Sequence, residues 1–125
     1  MDTRSGAGGR IVPPIPLAPW QVWWVDFDPQ RGSEQAGRRP GIVVASSFHC
    51  RLSTSVTLVV PVTTRARDLD FRVPLDAPFL TPVSYAITEQ ITTIDCERLV
   101  GDKPLGRLDD HHVHLLQTAL ARMIA

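Results

Sequence analysis

Short alternating runs of apolar and polar residues fill most of this 125-residue chain and predict β-strands. Aromatic and β-branched residues at 21–28 predict the first strand. A long polar loop at 29–39 precedes a second, short strand at 41–45, which we expect to be buried on both faces. A third strand covers 56–63, where Pro61 predicts a bulge or an edge position because proline cannot donate a hydrogen bond to the ladder.

The second half of the chain adds shorter strands and then changes its period. We expect a strand at 71–75 and one or two strands over 85–94. Apolar side chains within 113–124 recur at helical spacing, and Asp109 or Asp110 stands where the helix cap belongs. Together these elements predict a mainly β fold with some α structure: a small SH3-like β-barrel with short helices and a C-terminal helix.

Composition adds to this fold prediction. A hydrophobic share of 43% is sufficient for a core. Residues 1–19 are rich in proline and glycine, so we expect a flexible leader there and a single domain over residues 20–125. No apolar run reaches the roughly 20 residues that a membrane helix needs. Cys50 and Cys96 have no CxxC spacing, and the Cys and His residues do not supply a zinc site. We therefore expect free thiols, no metal, no cofactor, no membrane contact and a cytoplasmic protein.

The formal net charge is zero, but the charges are unevenly distributed. Residues 31–72 contain seven arginines and three acidic residues, whereas residues 73–125 contain four basic and seven acidic residues. Only Lys103 among the thirteen basic residues is a lysine, and arginine grips phosphate or carboxylate through two parallel hydrogen bonds. A GC-rich genome can favour arginine throughout, but it does not explain the cluster. The pattern favours a local basic surface on a neutral protein.

Three polar clusters interrupt the apolar strands. Residues 32–35 (Gly-Ser-Glu-Gln) and the pair Arg38–Arg39 precede the second strand, and residues 63–65 (Thr-Thr-Arg) end and follow the third. Glu89 and Gln90 fall inside an apolar strand pattern, where burial is costly unless both are hydrogen-bonded. We therefore expect these two side chains to alternate across a strand, with one of them meeting the arginine-rich loop.

Several separated motifs point to one family when they are taken together. They are Trp23-Trp-Val-Asp-Phe-Asp-Pro, Arg31-Gly-Ser-Glu-Gln, Arg39-Pro, Pro61-Val-Thr-Thr, Glu89-Gln-Ile-Thr-Thr-Ile-Asp, Arg98-Leu and Gly106-Arg-Leu. In this order, over residues 20–125, they resemble the MazF/PemK/Kid toxins of bacterial toxin–antitoxin systems, whose fold is the CcdB/PemK type of small β-barrel.

The resemblance implies the toxin component of a type II toxin–antitoxin system, which inhibits translation and growth. The implied activity is that of an mRNA interferase: a metal-independent, sequence-specific endoribonuclease. It would cleave single-stranded RNA by attack of the 2′-hydroxyl and leave a 2′,3′-cyclic phosphate and a 5′-hydroxyl. The implied partners are a second copy of the chain in a homodimer and a cognate antitoxin with an acidic, partly disordered tail.

The resemblance also implies which residues act. The implied catalytic residues are Arg39 and Thr63, and the chemistry agrees. A guanidinium donates two hydrogen bonds to phosphate oxygens as their charge develops, and a threonine hydroxyl donates one more. Glu34 and Glu89 are candidate proton acceptors by residue type. The candidate RNA-binding residues are Arg31, Ser33, Glu34, Gln35, Arg38, Arg65, Glu89 and Gln90.

One departure from the family pattern concerns Thr92, which stands where many members carry arginine. Arg65 is our candidate for supplying the missing charge. Two alternative functions stay open: a CcdB-like, gyrase-directed toxin that binds a protein, and a catalytically inactive barrel that serves as a binding module. The CcdB-like toxins depend on aromatic residues at the tip of the last helix. Residues 121–125 contain none, which favours RNA cleavage.

Two further groups of side chains have alternative interpretations. Trp23 and Trp24 point to opposite faces of a strand, so at most one belongs to the core while the other lies at a surface, where an indole can stack on a base. The histidines in the first turns of the C-terminal helix suggest an acid–base pair or a metal site, but a solvated helix face is the better prediction. They are His111, His112 and His114.

Overall fold

The computed structural model describes residues 17–27, 37–52, 55–65, 72–80 and 83–125. Within them the strands are β1 (Gln21–Phe27), β2 (Gly37–Val43), β3 (Val56–Thr63), β4 (Arg72–Leu75), β5 (Ser84–Ile87), β6 (Thr92–Asp95), β7 (Leu99–Val100) and β8 (Gly106–Arg107). The helices are α1 (Ser47–Cys50) and α2 (Asp110–Ala121), and two 3₁₀ turns cover Thr88–Gln90 and Cys96–Arg98. The strands pair antiparallel in the order β4-β5-β3-β2-β1-β7, with β6 also paired to β3 and β8 to β1. This sheet curls into a half-barrel with α2 packed against it, which confirms the predicted mainly β fold.

Strand β2 begins earlier than the sequence predicted. It starts at Gly37, whose φ of +79° favours glycine, and Arg38 and Arg39 belong to the strand because they pair with β1. Only its second half, 41–43, is buried, so the hydrophobic pattern did not reveal the polar half. The rest of the predicted loop, 29–36, lies outside the described residues.

Pro61 lies inside the sheet rather than at its edge, and its neighbours explain how. The amide of Val44 donates to the carbonyl of Leu58 at 3.0 Å, so alternation along β3 turns the nitrogen of Pro61 away from β2. On that other flank β3 changes partner, from β6 along residues 56–59 to β5 along residues 62–63. The missing N–H of Pro61 therefore falls between two ladders and costs no hydrogen bond.

The prediction for Glu89 and Gln90 is wrong, because these residues lie between the strands β5 and β6. They do not alternate along a strand but form the 3₁₀ turn through which the chain passes from β5 to β6. The amide of Ile91 closes this turn by donating to the carbonyl of Thr88 at 3.4 Å. The apolar residues on either side of the pair belong to two different strands, which is why the sequence resembled one interrupted strand. Glu89 is exposed, so no carboxylate is buried there.

Apolar side chains pack against both faces of the sheet. One cluster, which includes Ile42 and Leu116, lies beneath α2. The other includes Trp23 and Val59, whose positions in β1 and β3 direct them to the opposite face. Trp23 is fully buried whereas Trp24 is 41% exposed, which confirms that only one of the two tryptophans belongs to the core.

Helix α2 is capped by Asp109, and His112 in its first turn links it to the chain just after β4. The carboxylate of Asp109 accepts the amide hydrogen of His112 at 2.9 Å and lies 2.8 Å from its Nδ1. The amide of Asp76, just after β4, donates to His112 Nε2 at 3.2 Å. His112 is buried, so the prediction of a solvated face is wrong for this residue, whereas His111 and His114 are exposed as predicted.

Several smaller expectations concern the thiols, the membrane and the leader. Cys50 and Cys96 are free, as predicted, and burial raises the pKa of both thiols. No helix in the described part of the chain is long and apolar enough to cross a membrane. Leu17 packs against the cluster that contains Trp23, but residues 1–16 lie outside the described residues, so the division into leader and domain stays a prediction.

Candidate active site

The register of β2 and β3 determines where the two candidate catalytic residues lie. The strands pair at three positions, the last of which is Gly41 opposite Pro61. Continuing this register by two residues places Arg39 opposite Thr63 on one face of the sheet. Cross-strand neighbours on one face are close enough for their side chains to act together. The register therefore brings together two side chains that the sequence keeps far apart.

The paired part of the two strands ends just before Arg39 and Thr63. Alternation along β2 directs the nitrogens of even-numbered residues toward β3, and at position 40 that residue is proline, which has no hydrogen to donate. The ladder accordingly stops at Gly41 and Pro61, and a cleft opens between the strand ends.

The cleft has a volume of about 370 Å³, which is in the range of ligand-binding pockets. Its polar lining in the described part of the chain consists of Arg38, Arg39, Thr63, Thr64, Arg65 and Ser84. Its apolar lining consists of Trp24, Pro40, Val62, Phe79, Leu80 and Leu105. Three lining residues are arginines and none of those described is acidic, so the cleft favours an anionic guest.

Thr63 presents an oriented hydroxyl to this cleft. The residue is buried at the end of β3, and its Oγ1 accepts the amide hydrogen of Arg65 at 3.2 Å. A hydroxyl has one hydrogen and two lone pairs, so this contact leaves the hydrogen for a ligand. The branched Cβ restricts the side chain to few rotamers. Thr63 can therefore donate one hydrogen bond from a fixed position.

Arg39 is half-buried, between the exposed Arg38 and the core. Two residues further along β2, Gly41 allows close packing against β1, because a Cβ at Gly41 would lie 2.9 Å from Cγ2 of Val25. Arg65 is exposed at the other side of the strand pair. The half-buried Arg39 side chain thus has less freedom than the exposed side chains of Arg38 and Arg65, which can follow a flexible ligand.

Comparison with known proteins now identifies the family. Residues 18–124 match the sequence model described as PemK-like, MazF-like toxin of type II toxin–antitoxin system. This chain belongs to that toxin family. The endoribonuclease MazF9 of Mycobacterium tuberculosis is 39% identical, over 80% of this chain and 89% of that protein. The endoribonuclease toxin MazF of Escherichia coli is 42% identical, over 81% of this chain and 87% of that protein.

Solved structures share the fold. MazF from Deinococcus radiodurans has a TM-score of 0.71 at 24% identity, covering 91% of this chain and 97% of that chain. An endoribonuclease from a Mycobacterial species, solved in complex with its cognate antitoxin, has a TM-score of 0.68 at 23% identity, covering 85% of this chain and 92% of that chain. These similarities confirm the small toxin-type β-barrel.

Not all of the predicted site residues of this toxin-family chain lie together. Those that line the cleft are Arg38, Arg39, Thr63 and Arg65. Glu89 and Gln90 do not line it, and Thr92 lies in β6 opposite Val59. The candidates outside the described residues are Arg31, Ser33, Glu34 and Gln35. Among the described residues, no three His, Cys, Asp or Glu side chains form a metal-binding group.

Most of the apolar lining of the cleft has no signal in the sequence. Strand alternation predicted that one of Trp23 and Trp24 lies at a surface but not which one, and Phe79 and Leu105 come from distant loops and carry no local signal. The position of Phe79 depends on Gly106, where a Cβ would lie 2.5 Å from the phenyl ring. Gly106 opens the Gly106-Arg-Leu motif, and a larger residue at this position would displace the ring of Phe79.

Proposed function

We propose that this protein is a metal-independent, sequence-specific endoribonuclease and the toxin component of a type II toxin–antitoxin system. The observation that carries the proposal is that Arg39 and Thr63, which lie just beyond the paired part of β2 and β3, line the same basic cleft. The family and its endoribonuclease relatives, which match most of the chain, support the same function. Arg39 and Thr63 are the proposed catalytic residues.

The cleft residues suit a reaction in which RNA supplies its own nucleophile. The 2′-oxygen forms a bond to phosphorus while the bond between phosphorus and the 5′-oxygen breaks. The 2′-oxygen gives up its proton to a base and the 5′-oxygen gains one, so the products are a 2′,3′-cyclic phosphate and a 5′-hydroxyl. Negative charge grows on the phosphate oxygens in the transition state. Arg39 can donate two hydrogen bonds to them and Thr63 one, and these bonds strengthen as the charge develops.

The apolar lining provides a place for a base beside the phosphate. Trp24 is 41% exposed and lines the cleft together with Phe79 and Leu105. Aromatic faces next to arginines are typical of single-strand binding, because unpaired bases stack on them while the backbone meets the positive charge. A paired base cannot reach such a surface without leaving its duplex, so the cleft favours single-stranded RNA.

The same positive cleft suits a cognate antitoxin. The exposed Arg38 and Arg65 offer binding sites for carboxylates of an acidic, partly disordered tail that orders on binding. A Mycobacterial endoribonuclease of this fold has been solved with its cognate antitoxin, and MazF of Deinococcus radiodurans with MazE. In our proposal the toxin is a cytoplasmic homodimer, and the tail of the antitoxin excludes RNA from the cleft.

The test is cleavage of a mixed-sequence single-stranded RNA in EDTA, with the product ends mapped. Arg39→Ala removes the guanidinium, and Thr63→Val removes the hydroxyl while keeping the branched shape. We expect discrete cuts ending in 2′,3′-cyclic phosphates in the wild type and strongly reduced cutting in both variants. If folded wild-type protein leaves a diverse RNA library uncut, the enzyme proposal is wrong and a protein-binding toxin or inactive barrel takes its place.

A further inference from the structure

A buried arginine outside the cleft contacts the loop that holds Thr63. Arg72, in β4, is only 5% exposed, and its Nη1 donates to the backbone carbonyl of Arg65 at 2.7 Å. Arg65 is also the residue whose amide donates to Thr63 Oγ1 at 3.2 Å. A guanidinium is costly to bury, so a short hydrogen bond from its Nη1 to a backbone carbonyl indicates a specific contact.

We propose that Arg72 is a positioning residue for the hydroxyl of Thr63. The carbonyl and the amide of Arg65 flank the same Cα, so holding the carbonyl limits rotation of that residue and fixes the direction of its N–H. The N–H in turn occupies one lone pair of the Thr63 hydroxyl, which leaves the hydrogen on the other side. This inference rests on the proposed function, because it gives the orientation of Thr63 a catalytic purpose.

The burial of Arg72 separates this role from direct RNA binding. Arg72 does not belong to the described lining of the cleft, whereas Thr63 and Arg65 do. Loss of its contact should therefore change how well Thr63 is aimed and leave the affinity for RNA unchanged. A displacement of about 1 Å at a reacting group can cost about 100-fold in rate, so we expect Arg72→Gln to lower kcat by about 10- to 100-fold at constant KM.

A double-mutant cycle tests whether Arg72 acts through Thr63. We expect Arg72→Gln to lower kcat in the wild-type background and to have no further effect in the Thr63→Val background. Arg72→Lys should recover part of the rate because an ammonium can still donate to a carbonyl. The matched control is Arg107→Gln, which removes an exposed arginine whose Nη1 donates to the carbonyl of Leu108 at 3.0 Å and which does not belong to the described lining of the cleft. It should leave kcat and KM unchanged.

Two outcomes of the cycle would overturn the proposal. An equal loss of kcat in both backgrounds would show that Arg72 acts independently of Thr63. A change confined to KM would show that Arg72 contacts RNA. Circular dichroism and melting curves establish that each variant is folded, and Arg72→Lys carries the test if the glutamine variant is unfolded.

Amide hydrogen exchange gives a second readout that needs no RNA. Exchange at the Arg65 amide should accelerate in Arg72→Gln and Thr63→Val, accelerate less in Arg72→Lys, and not change in Arg107→Gln. Unchanged exchange at Arg65 in the Arg72 variants overturns the positioning role even if the wild type cleaves RNA. Conversely, accelerated exchange in a protein that cuts no RNA retains the structural contact and removes only the proposed function.

Discussion

Two regions of this protein hold polar side chains beside strand ends, and they use them in opposite ways. At the cleft, Arg38 and Arg65 are exposed, and the hydrogen of the Thr63 hydroxyl is left for a ligand. The second region is a clasp of three residues, Asp76, Asp109 and His112, at the start of helix α2. His112 is buried there, and its two ring nitrogens contact the carboxylate of Asp109 and the amide of Asp76. The first region keeps its hydrogen-bonding capacity for a guest, and the second uses it to hold the fold together.

The comparison shows why residue type alone misidentifies a site. Histidine is the usual acid–base residue near neutral pH, yet His112 acts as a structural link between α2 and the end of β4. Because Nε2 accepts the amide of Asp76, the ring hydrogen resides on Nδ1, facing Asp109. Arginine stays charged at any physiological pH, so the cleft can stabilise a phosphate without a tuned pKa.

The largest expected effect comes from the cleft. Arg39→Ala should lower kcat for RNA cleavage by about 10²–10³, since it removes the donors that strengthen in the transition state. Its melting temperature should stay near that of the wild type because the side chain is only half-buried. Steady-state cleavage and thermal melting measure the two quantities. The matched control is Arg38→Ala, the exposed neighbour, which should raise KM and leave kcat nearly unchanged; equal losses of kcat would contradict the special role of Arg39.

The second largest effect should come from Trp24, in the apolar lining of the cleft. Trp24→Ala should weaken binding of single-stranded RNA by about 5- to 150-fold, the range expected for loss of one stacked base. Trp24→Phe should keep most of the affinity because a ring remains. Binding can be measured with the slowly cleaving Thr63→Val protein and a labelled RNA, at times short enough to precede cleavage. Phe48→Ala, which truncates a 65% exposed aromatic residue on α1 outside the cleft lining, should have no effect. A similar loss in both variants would show that Trp24 does not stack on a base.

Sequence patterns predicted those parts of the fold in which a single pattern of residues runs along the whole element. Strand β1 follows from its aromatic and β-branched residues, and the helix cap, Asp109, is one of the two aspartates that cap preference offered. The pattern failed at Glu89 and Gln90, because a 3₁₀ turn joins two strands that both pair with β3. It also failed at Arg38, where pairing with β1 extends the strand into polar residues.

The candidate site was also predictable from the sequence only in part. The order of the sequence motifs selects Arg39 and Thr63 as candidates, but only the structure shows that both line one cleft. The contact of Arg72 with the carbonyl of Arg65 left no sequence signal, because it depends on how a loop between β3 and β4 folds back. The apolar residue Phe79 likewise reaches the cleft through tertiary packing.

A smaller effect, on stability rather than activity, should come from the clasp. His112→Ala leaves the amide of Asp76 without its acceptor and should lower the free energy of unfolding by about 1–3 kcal/mol. Below the melting transition, kcat and KM should match the wild type, which is the reverse of the result for Arg39→Ala. Chemical denaturation and RNA cleavage measure both. His114→Ala, an exposed residue on the same helix, is the control; a loss of cleavage in folded His112→Ala protein would place the clasp in the catalytic machinery.

The smallest expected effect is the pH dependence of the same clasp. The pKa of Asp109 is held below its ordinary value of 3.8, first by the backbone amide of His112 and then by its side chain. Since the folded-state pKa lies below the unfolded one, the contact stabilises the fold above pH 3.8, and this contribution is lost as the pH falls through the lowered pKa. Asp109→Asn should therefore be less stable than the wild type near neutral pH, and the difference should close in strong acid.

The control for this prediction is Asp110→Asn, which removes the same charge one residue along without touching the cap. The difference in stability between Asp110→Asn and the wild type should not follow that course. A constant gap between Asp109→Asn and the wild type down to strong acid would mean that the cap acts through its geometry alone, and that the charge of Asp109 contributes nothing to the clasp.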